Sequence, residues 1–355
     1  MVNGGSMPGF PILKTLRTKW FVTGAAGFIG SHLVEGILRA GGAVVGFDNL
    51  SSGRETNLQL VRDSVGPEAW QQFRLLQGDI GNPDALGEAI AGCDVVLHHA
   101  ALGSVPDSLE RPMETHASNA TGFLNVLQAA RSAGIRRVVY ASSSSVYGDC
   151  PDLPLRESSA GAVLSPYAAS KLTNEVYSRT YAAAYGMELI GLRYFNVFGP
   201  RQDPNGAYAA VIPKWIQAIL SGQQVTINGD GSNTRDFCPV EDVVKANILA
   251  AQAGFKPGAA LALNIGSGRA TTLLELFESL RVIASKRGFS SLPSTFGRAR
   301  SGDIRHSTAD LGAAKEALDF TPSTSFIEPL ERTFESFIPS ARRDPSRSES
   351  YQLER

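Results

Sequence analysis

A strand that runs straight into a glycine turn and out into an amphipathic helix constrains this chain more than any other stretch. Lys19-Trp20-Phe21-Val22-Thr23 has the apolar, β-branched character of a buried strand, Gly24-Ala25-Ala26-Gly27-Phe28-Ile29-Gly30 follows without a gap, and Ser31 to Leu38 repeats apolar residues at helical spacing. The glycines have separate physical jobs: one permits the tight turn, one lets backbone approach a pyrophosphate, and one lets the helix pack on the strand. The helix N-terminus then supplies donors for an anion. A second strand, Ala43 to Phe47, ends in Asp48, at the spacing of a carboxylate that binds the adenosine ribose. A glycine turn alone occurs in many α/β proteins, but strand, helix and downstream acid together mark a dinucleotide site with Gly24, Gly27, Phe28, Ile29, Gly30 and Asp48 in it. Asp48 would repel a 2′-phosphate and so favours NAD; Arg54 nearby keeps NADP open.

Strand and helix continue to alternate. Phe73 to Gln77 reads as a strand ending at Gly78-Asp79-Ile80, a helix follows Pro83, and Asp94 to His98 is the next strand. This rhythm predicts an α/β fold with a Rossmann-type doubly wound parallel sheet, whose ligands bind at the carboxyl ends of the strands. Asp79 and Ile80 sit at such an end and are assigned to the adenine. Ala100 and Ala101 open a run of small residues along which a dinucleotide can lie, and a long helix is expected from about Pro112 to Ala133, with Asn119 in it assigned to the cofactor site as a polar pin. His98 and His99 lack a third ligand and read as structural. Past Val197 the sheet pattern weakens, which divides the chain into an extension (1–18), a dinucleotide-binding domain (19–197, completed near 235–265), a smaller discontinuous α/β substrate lobe (198–234 and 266–338) and a disordered tail (339–355). Helices are expected at Ile212 to Leu220, Val240 to Gln252, Phe277 to Lys286 and Leu311 to Leu318.

Charge and cysteine content exclude several classes of function. With 33 Lys and Arg against 34 Asp and Glu, the 355 residues carry no electrostatic footprint for nucleic acid or an anionic membrane. No apolar run reaches the length of a membrane span, so a soluble cytoplasmic protein is expected. Cys93, Cys150 and Cys238 are odd in number and widely spaced, which suggests neither a disulfide framework nor a metal site.

The chemistry is expected at Ser165-Pro166-Tyr167-Ala168-Ala169-Ser170-Lys171, where a phenol and an ammonium stand one helical turn apart. A free phenol titrates near pH 10; a cation beside it favours the phenolate. Alone, this spacing is more often an ordinary surface pair. It gains meaning because the strand Arg137 to Ala141 ends in Ser142-Ser143-Ser144-Ser145, about two dozen residues upstream, and places a hydroxyl at the same sheet edge. Hydroxyl, phenol, ammonium and a nicotinamide can together move a proton and a hydride at one carbon.

These motifs, with Leu192-Arg193-Tyr194-Phe195-Asn196-Val197-Phe198-Gly199-Pro200, Gly229-Asp230-Gly231, Arg235-Asp236-Phe237 and Arg300-Ser301-Gly302-Asp303, resemble the extended short-chain dehydrogenase/reductases, specifically UDP-sugar 4-epimerases, over roughly residues 19–338. The segments Ala101-Leu102-Gly103-Ser104-Val105-Pro106 and Arg201-Gln202-Asp203-Pro204-Asn205-Gly206-Ala207-Tyr208 are most similar to bacterial UDP-N-acetylglucosamine 4-epimerases. The resemblance implies tightly held NAD, with Asn49, Ser142 and Tyr194 joining the cofactor site. Tyr167 would take the proton of the sugar 4-hydroxyl, Ser143 would bridge that hydroxyl, and Lys171 would hold the nicotinamide ribose and lower the phenol's pKa. Ser104, Ser144, Ser145 and Ser307 would line the sugar pocket. Asn196, Ala210, Val211, Lys214, Thr226, Asn228, Arg235, Arg300 and Asp303 would hold uridine and diphosphate, and the helices near 112–133 and 167–185 would pair in a homodimer.

Related dehydratases carry an Asp-Glu pair at Ser144-Ser145, and decarboxylases a glutamate at Ser145; without these acids, return of the hydride is the expected outcome. Sugar-restricted epimerases carry a tyrosine at Ser307, and a serine leaves room for an N-acetyl group. The expected activity is interconversion of UDP-N-acetylglucosamine and UDP-N-acetylgalactosamine, with UDP-glucose and UDP-galactose as further substrates. The alternatives are a UDP-uronic acid epimerase or decarboxylase, and a non-catalytic dinucleotide sensor.

Overall fold

The computed structural model describes residues 18–205, 210–298 and 304–338. The predicted disordered tail and nearly all of the predicted N-terminal extension lie outside these residues. The chain opens with β1 (Lys19–Thr23), α1 (Phe28–Arg39), β2 (Ala43–Asp48), α2 (Glu55–Trp70), β3 (Phe73–Gln77), α3 (Pro83–Ala89) and β4 (Val95–His98). It continues through α4 (Val105–Glu110), α5 (Pro112–His116), α6 (Gly122–Ser132), β5 (Arg137–Ser143), α7 (Pro166–Tyr185) and β6 (Glu188–Tyr194). Next come β7 (Asn196–Phe198), α8 (Val211–Leu220), β8 (Thr226–Asn228), β9 (Thr234–Arg235), β10 (Phe237–Pro239), α9 (Val240–Gln252) and β11 (Ala260–Ile265). The described chain closes with β12 (Thr271–Thr272), α10 (Leu273–Lys286), β13 (Thr295–Gly297), α11 (Gly312–Leu318) and α12 (Ile327–Phe337).

Seven strands form one sheet in the order β3-β2-β1-β4-β5-β6-β11, every pair parallel. The order reverses between β1 and β4, which opens a crevice at their carboxyl ends where the glycine turn lies. Strands buried on both faces need continuous apolar runs, and β1 and β4 are of that kind. One face packs Leu33, Val34 and Ile37 of α1 against Val243 and Val244 of α9; the other packs Phe123, Val126 and Leu127 of α6 over Phe21, Val96 and Val138. Burying each such side chain contributes about 1.5–3 kcal/mol.

The long helix expected from Pro112 to Ala133 is instead α5, a π-helical turn at Ala117–Thr121, and α6. Pro112 starts α5 where its missing N–H costs nothing, and the wide turn carries Asn119 inward. Ser165 opens α7 by accepting a hydrogen bond from the Ala168 N–H at 3.1 Å, and Gly186 closes it with φ 65°. A separate core of Trp215, Ile216, Phe277, Leu280 and Phe334 joins α8, α10 and α12, flanked by the two-stranded pairs β7–β10, β8–β13 and β9–β12.

Candidate active site

The crevice at the strand ends is a cleft of about 510 Å³. Every residue assigned to the cofactor from the sequence lines it except Asn119. The glycines are sterically obligatory: Gly24 has φ 69°, a Cβ there would lie 2.7 Å from the Ala100 nitrogen, and one on Gly30 would lie 1.9 Å from the Gly24 oxygen. Gly27 begins α1 with no side-chain cap, so the first N–H groups of the helix stay open to an anion. Asp48 accepts from the Ala26 N–H at 2.9 Å and the Leu50 N–H at 2.8 Å, which holds a carboxylate at the tip of β2 with lone pairs to spare for ribose hydroxyls. The donor set therefore fits a dinucleotide. Arg54 is ion-paired with Asp203, so the one arginine that kept a 2′-phosphate open already has an acidic partner.

The same cleft is lined by Ser143, Tyr167 and Lys171. Ser143 is the last residue of β5 and its hydroxyl oxygen accepts from the Ser145 hydroxyl at 2.7 Å and the Ser145 N–H at 3.2 Å. Ser143 is near enough to Tyr167 to favour its phenolate. Lys171 is 3% exposed; its ammonium donates to the Ala141 carbonyl at 3.0 Å and lies 5.8 Å from the centre of the Tyr167 ring. Burial pushes the ammonium down to about 8. The phenol is raised by burial, with Ser143 pulling against it, so in this state Lys171 is not what lowers the phenol, contrary to the sequence expectation. The reason is geometric: the ammonium faces the ring and a backbone carbonyl rather than the phenol oxygen.

A second cleft of about 870 Å³ adjoins the first, with Val197 and Gln202 in both walls. Asn196, Ala210, Val211, Lys214, Thr226, Asn228 and Arg235 all line it. Lys214 and Arg235 put two cationic side chains in its wall, and Arg235 also donates to the Thr234 oxygen at 2.9 Å.

Other assignments fall elsewhere. Asn119 is 1% exposed and fully occupied: its carbonyl accepts from the Leu102 N–H at 2.7 Å, and its amide donates to the Leu102 oxygen at 2.9 Å and to Ser170 at 3.2 Å. It pins the loop after β4 to α7 and does not reach the cleft. Ser142 lines the cleft, but its hydroxyl is turned away and donates to Glu175 at 2.6 Å. Ser104 caps α4, accepting from the Asp107 N–H at 3.1 Å, and is absent from both walls. Ser144 and Ser145 form a 3₁₀ turn behind Ser143, and buried Ser307 sits between the Thr234–Arg305 and Leu155–Thr308 backbone contacts; none of these three lines either cleft. Arg300 and Asp303 lie outside the described residues. His98 is buried and bonded to Thr23 at 2.8 Å; His99 is half-buried in the wall of the first cleft and bonded to Tyr194 at 2.9 Å, and desolvation keeps both neutral.

Sequence reading missed the anchor behind this site. Glu175, two turns beyond Tyr167 on α7, is 1% exposed, pairs with Arg193 of β6 at 2.7 Å and takes the Ser142 hydroxyl as well. Arg193 also donates to Tyr147 at 2.9 Å. An arginine inside the apolar run Leu189 to Tyr194 was the available signal, because a buried guanidinium requires an acid. Among the described residues no group of His, Cys, Asp or Glu could hold a metal ion, and no helix is long and apolar enough to cross a membrane.

Comparison with known proteins bears on this geometry. Residues 20–266 match the NAD dependent epimerase/dehydratase family. The chain is 39% identical over 318 residues to the UDP-glucose 4-epimerase of Mycolicibacterium smegmatis, covering 89% of this chain and 97% of that one. It is 34% identical to the UDP-glucuronate 4-epimerase of Thermodesulfobacterium geofontis, over 88% of this chain and 94% of the relative. Among solved structures, the UDP-N-acetylglucosamine 4-epimerase from Methanobrevibacter ruminantium M1, in complex with UDP-N-acetylmuramic acid, superposes with a TM-score of 0.83 at 37% identity, covering 91% of this chain and 98% of that one.

Proposed function

Because this chain belongs to the NAD dependent epimerase/dehydratase family, we propose that it is a UDP-sugar 4-epimerase that interconverts UDP-N-acetylglucosamine and UDP-N-acetylgalactosamine, and also accepts UDP-glucose and UDP-galactose. The observation that carries this reading is that Ser143, Tyr167 and Lys171 line the same cleft as the glycine turn, and that this cleft shares Val197 and Gln202 with a second one lined by Lys214 and Arg235. Bound NAD supplies reversible uptake of a hydride at carbon 4 of the sugar.

The side chains account for the rest. Tyr167 takes the proton of the 4-hydroxyl and gives it back, and Ser143, held by Ser145, shares that proton. Lys171, anchored on Ala141, holds the nicotinamide ribose. Lys214, Arg235, Asn196, Thr226 and Asn228 hold the uridine diphosphate while the 4-keto sugar turns over to present its other face. Each acid in the first cleft is already engaged: Asp48 by backbone N–H groups, Asp79 by Asn49 at 2.7 Å, Asp203 by Arg54. Among the described residues these are the only acids that line either cleft, and Ser144 and Ser145 stand where related dehydratases and decarboxylases carry acids, which supports simple return of the hydride.

The likeness to a UDP-N-acetylglucosamine 4-epimerase supports the amino sugar, and that to a UDP-glucuronate 4-epimerase supports a second reading in which a uronic acid is the substrate. We assign the protein to the cytoplasm, where its free thiols Cys93, Cys150 and Cys238 stay reduced, and to a homodimer formed through α5 and α7, whose Met113, Val176 and Tyr177 are exposed. The test is incubation of purified protein with each UDP-sugar in turn, with products read by NMR. The expected result is the 4-epimer of the N-acetylated sugar formed fastest; conversion of UDP-glucuronate alone would replace the proposal by the second reading, and no conversion of any sugar would refute both.

A further inference from the structure

The loop after β7 sends one side chain back into the cofactor cleft. Arg201 has φ 66°, a left-handed conformation that is strained for a non-glycine residue, and the loop is held in it from several sides. A Cβ on Gly199 would lie 2.4 Å from Val240; His32 of α1 is 2.9 Å from the Pro200 oxygen; and Asp203 pairs with Arg54, whose own N–H donates to the Ala26 oxygen of the glycine turn at 3.0 Å. Three ties thus join this loop to the dinucleotide motif. The third is Arg201 itself, whose Nη1 is 2.8 Å from Glu35 of α1.

That ion pair leaves the guanidinium unfinished. The Arg201 side chain is 8% exposed, and its Nε and Nη2 find no hydrogen-bond partner among the described residues. Glu35 cannot supply more, because it also receives Arg39 at 3.2 Å and Ser64 at 2.6 Å. Glu241, the other acid near Arg201, is paired with Arg332 at 3.1 Å, and His32 is kept neutral by burial and by the arginine's own charge. Arg201 and Glu35 balance in charge, but two of the guanidinium's donors are left without acceptors among the described residues, and Gly27 at the N-terminus of α1 caps no N–H with a side chain. Buried N–H donors without acceptors destabilise the folded chain, a cost that an anion in the cleft removes. Arg201 lines that cleft together with Gly27, Phe28 and Ile29.

We propose that Arg201 binds the diphosphate of the dinucleotide, completing from the second lobe the anion site that the glycine turn and α1 begin. A planar guanidinium with two adjacent free donors suits two phosphate oxygens, and a ligand held from both sides leaves only if the 199–203 loop moves. The consequence is a cofactor retained through many turnovers. This rests on the cleft being the dinucleotide site and is independent of which sugar is used.

The test compares ligands with and without the diphosphate, using full-length protein freed of cofactor. Calorimetry is run with adenosine, ADP and NAD on the unsubstituted protein, Arg201→Gln and Arg201→Lys, and the NAD carried through purification is quantified for each. Arg201→Gln is expected to lower affinity for ADP and NAD by at least about tenfold, leave adenosine unchanged and purify with less NAD; Arg201→Lys, which keeps the charge but not the fork, loses less. Equal losses for ADP and adenosine, or no loss for either, would overturn the proposal. Should Arg201→Gln not fold, Arg201→Lys binding ADP as tightly as the unsubstituted protein overturns it equally. Failure of the unsubstituted protein to bind either ADP or NAD would instead remove the dinucleotide reading of the cleft.

Discussion

The two clefts adjoin at Val197 and Gln202, yet their walls are anchored in opposite ways. Behind Ser143 and Tyr167 the anchor is a full charge pair, Glu175 with Arg193, which locks α7 to β5 and β6 of a continuous sheet. Beside the second cleft the anchor is Asp236, 0% exposed, with no cation bonded to it among the described residues: its carboxylate accepts from the Ser267 N–H at 2.6 Å, the Ser267 hydroxyl at 2.7 Å, the Gly268 N–H at 2.9 Å and the Ala309 N–H at 3.1 Å. The first device fixes elements that already share a sheet. The second gathers loops between short strand pairs that share none. The wall that carries Ser143 and Tyr167 is thus held through secondary structure, while the wall that carries Arg235 is stitched from loops by one acceptor-rich side chain.

The sharpest separation of the two walls is expected from Tyr167→Phe, which removes one hydroxyl from the first and nothing from the second. Turnover should fall about 10²–10⁴-fold with NAD content and UDP affinity retained; a parallel fall in UDP affinity would show that the walls do not act separately. Arg193→Met should lower the unfolding free energy by about 3–5 kcal/mol in denaturant titration, since it strands a buried carboxylate, and the double variant with Glu175→Gln should regain much of that. A loss confined to a few tenths of a kcal/mol would mean that the pair is no anchor. Asp236→Asn should be the mildest, about 1–3 kcal/mol, because an amide nitrogen replaces an acceptor opposite an N–H donor. Its mark should be weaker UDP binding with unchanged NAD content; the reverse pattern would place Asp236 behind the wrong wall.

Legibility in the sequence followed the range of the interactions. The parallel sheet and the NAD dependent family were readable because glycine sterics, strand patterns and helix starts act over a few neighbouring residues. Asn119 shows where that ends: its type marked a buried polar group, but only the π-turn and the Leu102 backbone made it a pin for a loop rather than a wall of the cleft. Ser104 was drawn into helix capping in the same way, since a serine before Val105-Pro106-Asp107 satisfies an N–H of its own helix first.

The sequence by itself determined that a dinucleotide turn, a hydroxyl-bearing strand end and a Tyr–Lys helix face exist, because each is a local pattern with a local steric or electrostatic cause. Only the tertiary structure decided how they are held and what completes them. Glu35 with Arg201 and Glu175 with Arg193 join residues on different elements, and no spacing along the chain encodes which buried charge will meet which, or which will be left with donors unpartnered among the described residues.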